Sequence, residues 1–325
     1  MKKFMSGLLA SSLLCLSVTV ARAGATDPID APPPVFIAGP EGSGAAISFN
    51  LYQRPLIAPS WASADVKAAW AAGYLGFGST VTVVDSYNSA LLRGRLNDDA
   101  AFSYATHGAW TSSQVSILAP QSVVLSARWG NDPVLLGPGL NIMNLSYGMI
   151  GTAGQAGLYL GTQNQSLINM ANAGSAIIVK AAGNDNAPVA GVTSAGKSDY
   201  LNLALKSGLS AVFVGALYDN GTTERKTVKT SYSNFAGSDL DVQKRMLFVG
   251  VRGDLTNLYG TSFAAPIVSG YAAILGSKFT SATPTTIANQ LLATARTDTI
   301  AFYDPSIYGK GEASLSRALA PVTIR

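Results

Sequence analysis

Six short runs of apolar and β-branched residues, at 81–85, 122–127, 141–146, 176–181, 211–216 and 246–251, constrain the fold of this chain more than any other feature. The first reads Val81-Thr82-Val83-Val84-Asp85. Most of the runs lack polar alternation, so strands built from them need apolar cover on both faces. Segments with helical spacing of apolar residues separate several of them, at 158–173 and 200–206, and another precedes the first run at 62–72. Strands buried on both faces and interleaved with helices predict an α/β fold of three layers, with a mostly parallel sheet between helices. Ligands bind such sheets beyond the carboxyl ends of the strands, which makes the strand-ending polar residues Asp85 and Asn184 the first candidates for a site. The chain is expected to close with a long helix starting at Ser262, a second helix over 285–295 and a tail through Tyr308-Gly309.

With 325 residues, 48% of them hydrophobic and 12% charged, the chain can bury a sizeable core in one large domain, expected over 60–325. Residues 24–59 contain Ala31-Pro32-Pro33-Pro34 and Gly39-Pro40-Glu41-Gly42-Ser43-Gly44, which favours an extended lead-in over packed structure. Residues 1–23 read as a secretory signal: Lys2 and Lys3, an apolar run over 4–20, then Ala21-Arg22-Ala23 in the small-x-small cleavage pattern. Ser6, Ser11, Ser12 and Ser17 interrupt that run, against a membrane-spanning helix, and no later segment is long and apolar enough to span a membrane. The mature chain is therefore expected to be secreted or periplasmic. Removing Lys2, Lys3 and Arg22 from 22 basic residues leaves 19 against 18 acidic ones, with no basic cluster to suit a nucleic acid. Cys15, the only cysteine, lies inside the signal, so the mature chain has neither disulfide nor thiol chemistry.

A serine hydroxyl is a weak nucleophile until a base takes its proton and a carboxylate orients that base. The chain has one histidine, His107, which is therefore the only candidate base for such a mechanism. It is also the one side chain expected to titrate near neutral pH. Ser262 lies in Gly260-Thr261-Ser262-Phe263-Ala264-Ala265-Pro266, at the expected helix start, where free N–H groups and the helix dipole favour developing negative charge. The same placement would suit a helix cap. Ala181-Ala182-Gly183-Asn184-Asp185, which follows the run at 176–181, reads by itself as a turn.

Taken together, these segments resemble the subtilase family of serine peptidases. Residues 260–266 are similar to its Gly-Thr-Ser-x-Ala-x-Pro signature, Val81-Thr82-Val83-Val84-Asp85-Ser86 to its aspartate strand, and His107-Gly108 to the start of its histidine motif. Residues 181–185 resemble the segment supplying its oxyanion-hole asparagine, and Asn144-Leu145-Ser146-Tyr147-Gly148 the edge segment lining its primary specificity pocket. The resemblance covers roughly residues 61–321. Tyr308-Gly309-Lys310-Gly311 is similar to the end of the catalytic domain in subtilase autotransporters, but too little chain follows for a transmembrane barrel. The resemblance implies a subtilisin-like fold and a secreted, monomeric serine endopeptidase that hydrolyses protein or peptide through an acyl-enzyme on Ser262. Asp85 and His107 would complete the triad, Asn184 would serve the oxyanion hole, and Ser146, Tyr147, Gly148 and Gly183 would bind substrate. The order Asp, His, Ser separates this reading from an α/β-hydrolase esterase, in which the serine comes first.

No cofactor is needed for such chemistry. Family relatives often bind calcium, and Asp185, Asp199, Asp219 and Asp239 could supply oxygens, but they form no recognisable loop and no metal site is assigned. No acidic residue can be placed in the primary pocket, which favours apolar or broad specificity. The chain departs from the family pattern at Tyr87, where glycine is usual, at Ala109 in place of threonine, and at Trp110 in place of a small residue. These departures motivate an alternative, a subtilase fold that holds peptides in its groove with weak or no turnover.

Overall fold

The computed structural model describes residues 56–325; the expected signal and most of the lead-in lie outside them. Among the described residues the strands are β1 (Ser79–Asp85), β2 (Leu92–Gly94), β3 (Ser103–Ala105), β4 (Val123–Arg128), β5 (Leu140–Leu145), β6 (Ile150–Thr152), β7 (Ile177–Ala181), β8 (Lys197–Asp199), β9 (Ala211–Leu217) and β10 (Met246–Gly250). Six of these form one sheet in the order β10-β9-β7-β5-β1-β4, and all of its pairings are parallel. Two short antiparallel pairs, β2 with β3 and β6 with β8, decorate it.

The helices are α1 (Ala64–Ala71), α2 (His107–Leu118), α3 (Gly161–Ala173), α4 (Tyr200–Leu205), α5 (Leu240–Arg245), α6 (Gly253–Thr256), α7 (Ala265–Lys278), α8 (Pro284–Ala293), α9 (Pro305–Tyr308) and α10 (Leu315–Leu319). Every residue of β1 is buried, because successive side chains enter different cores. Val81 and Val83 pack with Val115 and Leu118 of α2 and with the long apolar face of α7, whereas Val84 packs with Leu167 of α3 and Leu201 of α4. Two cores, one on each face of a parallel sheet, make the three layers expected from the sequence. Helix α7 is buried from Ala265 through Gly276, as an apolar helix inside a large domain must be. At Gly270 an added Cβ would meet the Leu118 Cβ at 2.8 Å, so the glycine lets α2 and α7 approach closely.

The structure corrects several details. Ser262 does not open the long helix; it sits in a 3-10 turn, Thr261–Phe263, and α7 begins at Ala265. Pro266 has no N–H and fits the first turn of α7, while Thr261 is tied to Asn184, so the preceding turn closes through i→i+3 bonds. The histidine segment, which is not among the helical segments read from the sequence, begins α2, capped by the Thr106 hydroxyl accepting the Ala109 N–H at 3.3 Å. β4 is an edge strand, only half-buried, so its apolar sequence does not mean cover on both faces. Nor does Asn184 end a strand; it lies three residues beyond β7.

Candidate active site

The strand order places the site. From β1 the chain goes to β4 on one side and then returns to β5 on the other, so the connections leaving β1 and β5 diverge to opposite faces and open a crevice between them. Asp85 is the last residue of β1, and Ser146 follows the last residue of β5. Helix α2 leaves the same crevice with His107 as its first residue.

Asp85 and His107 meet directly: His107 Nδ1 lies 2.7 Å from Asp85 Oδ1, with side chains 22% and 2% exposed for His107 and Asp85 respectively. An ionised carboxylate only accepts, so in this pair Nδ1 would be the donor, and in a neutral imidazole Nε2 would be left as the acceptor. Asp85 also accepts the Ser86 N–H at 2.6 Å and the Thr111 hydroxyl at 3.1 Å. The His107 N–H donates to Ser89 Oγ at 3.1 Å. Both residues are thus fixed from several directions. Thr111 lies one turn after His107 on α2, a relation that becomes visible once the helix is known.

Ser262 approaches from the other side. Its hydroxyl donates to the Ser146 carbonyl at 3.1 Å, and the Ser146 hydroxyl returns a bond to the Ser262 carbonyl at 2.8 Å. No hydrogen bond joins Ser262 to His107; without substrate the hydroxyl rests on a carbonyl acceptor, and catalytic hydrogen bonds are often looser in that state. The neighbouring Phe263 ring packs 5.4 Å from the imidazole, so the two segments are in contact.

The Asn184 amide has a fixed orientation. Its Oδ1 accepts the Thr261 N–H at 2.8 Å and the Thr261 hydroxyl at 3.0 Å, and because a backbone N–H can only donate, the oxygen must face Thr261 and Nδ2 must face outward. Gly183 and Gly260 flank this contact with φ of 113° and 115°, values that favour glycine.

Of the residues expected to bind substrate, Ser146 makes the contacts just given. Tyr147 is anchored by its hydroxyl on Asn164 Oδ1 at 2.7 Å and packs 6.2 Å from Trp129. Burial first, and the nearby Asp199 and Asp85 carboxylates after it, raise its phenol well above the ordinary range and keep it a neutral donor. At Gly148 an added Cβ would lie 2.6 Å from Asp199 Oδ2, so the backbone runs directly over that carboxylate. This segment extends from an interior strand of the main sheet, not from a sheet edge. Asp85, His107, Leu92, Trp129, Ser146 and Tyr147 share a cleft of about 340 Å³ with a largely apolar floor. A second cleft of about 510 Å³, lined by Tyr218, Asp219, Arg225, Tyr232, Arg252 and Tyr259, opens beyond β9 and β10.

The departures from the family pattern are accommodated. Tyr87 lays its ring against Gly108, where a Cβ would come within 2.9 Å, and its hydroxyl meets the Val83 carbonyl at 3.1 Å and Ser112 Oγ at 2.9 Å. Trp110 is buried with its indole N–H on the Leu92 carbonyl at 2.9 Å, and Ala109 supplies the N–H that Thr106 caps. Three of the four aspartates weighed as calcium ligands have protein partners. Asp199 takes the buried Lys180 ammonium at 3.1 Å and caps α4, Asp239 pairs with Lys206 and caps α5, and Asp219 pairs with Arg225. Asp185 is exposed. No group of three or more metal-binding side chains occurs among the described residues.

A parallel α/β sheet with a carboxylate, an imidazole and a serine hydroxyl gathered at its switch point defines the structural class. The chain belongs to the subtilase family: the family's sequence profile matches residues 133–311, more than half of the chain. That span contains Ser146, Asn184 and Ser262 and begins after Asp85 and His107. Subtilisin DY of Bacillus licheniformis is 30% identical over 176 residues, which is 53% of this chain and 54% of that protein, so the match spans about half of that relative's length. Solved structures share the fold. The prenylagaramide maturation protease PagA is 23% identical with a TM-score of 0.50, covering 78% of this chain and 96% of its own. A protease from Pseudoalteromonas arctica is 16% identical with a TM-score of 0.53, covering 80% and 94%. MycP1 of Mycobacterium smegmatis is 20% identical with a TM-score of 0.51, covering 83% and 86%.

Proposed function

We propose that the protein is an exported serine endopeptidase that cleaves protein or peptide substrates through an acyl-enzyme on Ser262. The observation that carries this reading is the Asp85–His107 pair, 2.7 Å apart at the switch point, in one cleft with Ser146, on whose carbonyl the Ser262 hydroxyl rests. In this reading the Ser262 hydroxyl turns from Ser146 to His107 Nε2 as substrate enters. His107 accepts its proton while the oxygen attacks the scissile carbonyl, and Asp85 stabilises the imidazolium that forms. The Asn184 Nδ2–H and the Ser262 N–H stabilise the oxyanion, and His107 then gives its proton to the leaving amine. Water repeats the sequence to release the acyl group.

An extended substrate would run along residues 146–148, held through its backbone, which demands little of its sequence. Trp129, Tyr147 and Leu92 favour apolar side chains beside the imidazole. The reaction needs no cofactor, and a monomer that binds no nucleic acid suffices for it. Export is supported by the signal-like residues 1–23 together with the family; among the described residues no helix is long and apolar enough to cross a membrane. Tyr87, Ala109 and Trp110, which motivate the turnover-free alternative, find partners at Val83, Thr106 and Leu92 and leave the Asp85–His107 contact in place, which favours turnover.

A fluorophosphonate probe tests the proposal. Stoichiometric labelling is expected, with the modified peptide mapping to Ser262 and no labelling of a His107→Ala variant. A folded protein that binds peptides and leaves Ser262 unlabelled would establish the non-catalytic alternative instead.

A further inference from the structure

An oxyanion donor is effective only if it is already in place when charge develops, so whatever holds Asn184 still contributes to the rate. Asn184 is exposed and lies in a loop, residues 182–187, outside any strand or helix. One side of the loop is held by Thr261, next to the nucleophile: besides its two bonds to Asn184, its hydroxyl accepts the Gly183 N–H at 3.1 Å. The other side rests on a residue that reaches neither cleft and belongs to none of the motifs read from the sequence.

That residue is Asn234, which is 5% exposed. Its Oδ1 accepts the N–H groups of Asp185 at 2.9 Å and Ala187 at 3.0 Å, its Nδ2 donates to the Ala182 carbonyl at 3.0 Å, and its backbone N–H donates to the Gly183 carbonyl at 2.9 Å. Two backbone donors on one oxygen fix the amide orientation. An added Cβ at Gly183 would fall 2.3 Å from Asn234 Nδ2, so the loop lies directly on this side chain. One amide therefore ties down the residues on both sides of Asn184.

We infer that Asn234 is a positioning residue for the oxyanion donor, acting on the reaction only through Asn184. The inference rests on the proposed role of Asn184. Without Asn234, two loop N–H groups and one carbonyl lose their partners, the loop relaxes, and the Asn184 amide leaves the place where the oxyanion forms. Displacements of about 1 Å at a catalytic group cost about 10²-fold.

The test is a double-variant cycle in the full chain. It measures kcat and KM on an apolar peptide p-nitroanilide and the second-order rate of inactivation by a fluorophosphonate, whose phosphoryl oxygen would occupy the same hole. Asn234→Ala is expected to lower kcat and the inactivation rate by about 10- to 100-fold with KM nearly unchanged. In an Asn184→Ala background the same substitution should cost less than about threefold, because the donor it positions is gone. Asn234→Asp keeps an acceptor for the Asp185 and Ala187 N–H groups and should recover about tenfold over Asn234→Ala; it also covers the case in which the alanine variant folds poorly. Equal losses from Asn234→Ala with and without Asn184 would show a merely structural residue and overturn the inference. So would Asn234→Asp no faster than Asn234→Ala, or Asn234→Ala as fast as the parent. If Asn184→Ala alone leaves both rates unchanged, the oxyanion assignment itself fails and this inference falls with it.

Discussion

Ser262→Ala and His107→Ala are each expected to lower kcat by about 10⁶, and the double variant should be little slower than either one; subtilisin, a relative, responds on this scale. The geometry gives the reason. The 2.7 Å contact with Asp85 would hold a neutral imidazole in the tautomer that leaves Nε2 free, and the Ser146 carbonyl on which the Ser262 hydroxyl rests cannot take a proton, which leaves His107 as the proposed base. Removing the base leaves a hydroxyl with no route for its proton, and removing the hydroxyl leaves a base with nothing to activate. Either loss abolishes the same step, so the second substitution has little left to remove. Whatever rate remains in the double variant is that of substrate held beside the Asn184 amide. The measurement is kcat on protein quantified by its folded fraction, with unfolding midpoints to show that the alanines leave the fold intact. Multiplicative losses, or turnover surviving His107→Ala, would mean that another group is the base.

The parts of this site that can be read from the sequence are those whose residue type is demanded by covalent chemistry. A lone histidine, a serine framed by small residues and an aspartate closing a β-branched run become candidates for roles once they are read together, and the three-layer fold follows from strands such as β9 that are apolar and buried at every position. The supports are not legible. Thr111, Ser89 and Asn234 are ordinary polar residues whose importance comes from contacts between distant segments: Asn234 reaches Asp185 across 49 positions. Helix α2 escapes the pattern because His107 and Gly108 open it and its apolar spacing is weak, although Thr106 is a regular cap. The sequence puts the start of α7 too early because Ser262 can cap a helix as well as sit in the tighter turn before one, and the hydrogen bond that the Thr261 N–H donates to Asn184, 77 positions away, helps to favour the turn. Edge and interior strands carry similar sequences, so the exposure of β4 depends on strand order, which local pattern does not encode.

Burial also adds a group that composition does not reveal. The Glu312 carboxyl is pushed up to about 7 from an ordinary value of 4.5. The main cause is burial, opposed by the Thr299 hydroxyl, the Gly221 N–H and the Arg296 charge, while Asp219 adds to the rise. Glu312 is 4% exposed; its Oε1 accepts the Gly221 N–H at 3.0 Å, whereas its Oε2 and the nearby Thr299 hydroxyl form no hydrogen bond of good geometry among the described residues, so the opposing pull of Thr299 is weak. The folded chain therefore binds a proton here that the unfolded chain has already lost at the same pH. Stability from the neutral carboxyl is fully present below about pH 4.5 and is lost as pH rises through about 7, a change on the order of 3 kcal/mol. Glu312→Gln keeps an acceptor for the Gly221 N–H and never ionises, so it should be more stable than the parent at pH 8 by up to that amount and nearly equal to it at pH 4.5. The comparison is best made by urea unfolding at several pH values in a Ser262→Ala background, where self-digestion cannot distort the transition. Only the difference between the two curves reports Glu312, because every other titrating group is common to both. A difference that stays flat from pH 4.5 to 8 would show that the carboxyl ionises normally, with water or a cation satisfying Oε2. Glu312 lines neither cleft, so the pH profile of kcat/KM, measured with Ser262 intact, should be unchanged in Glu312→Gln.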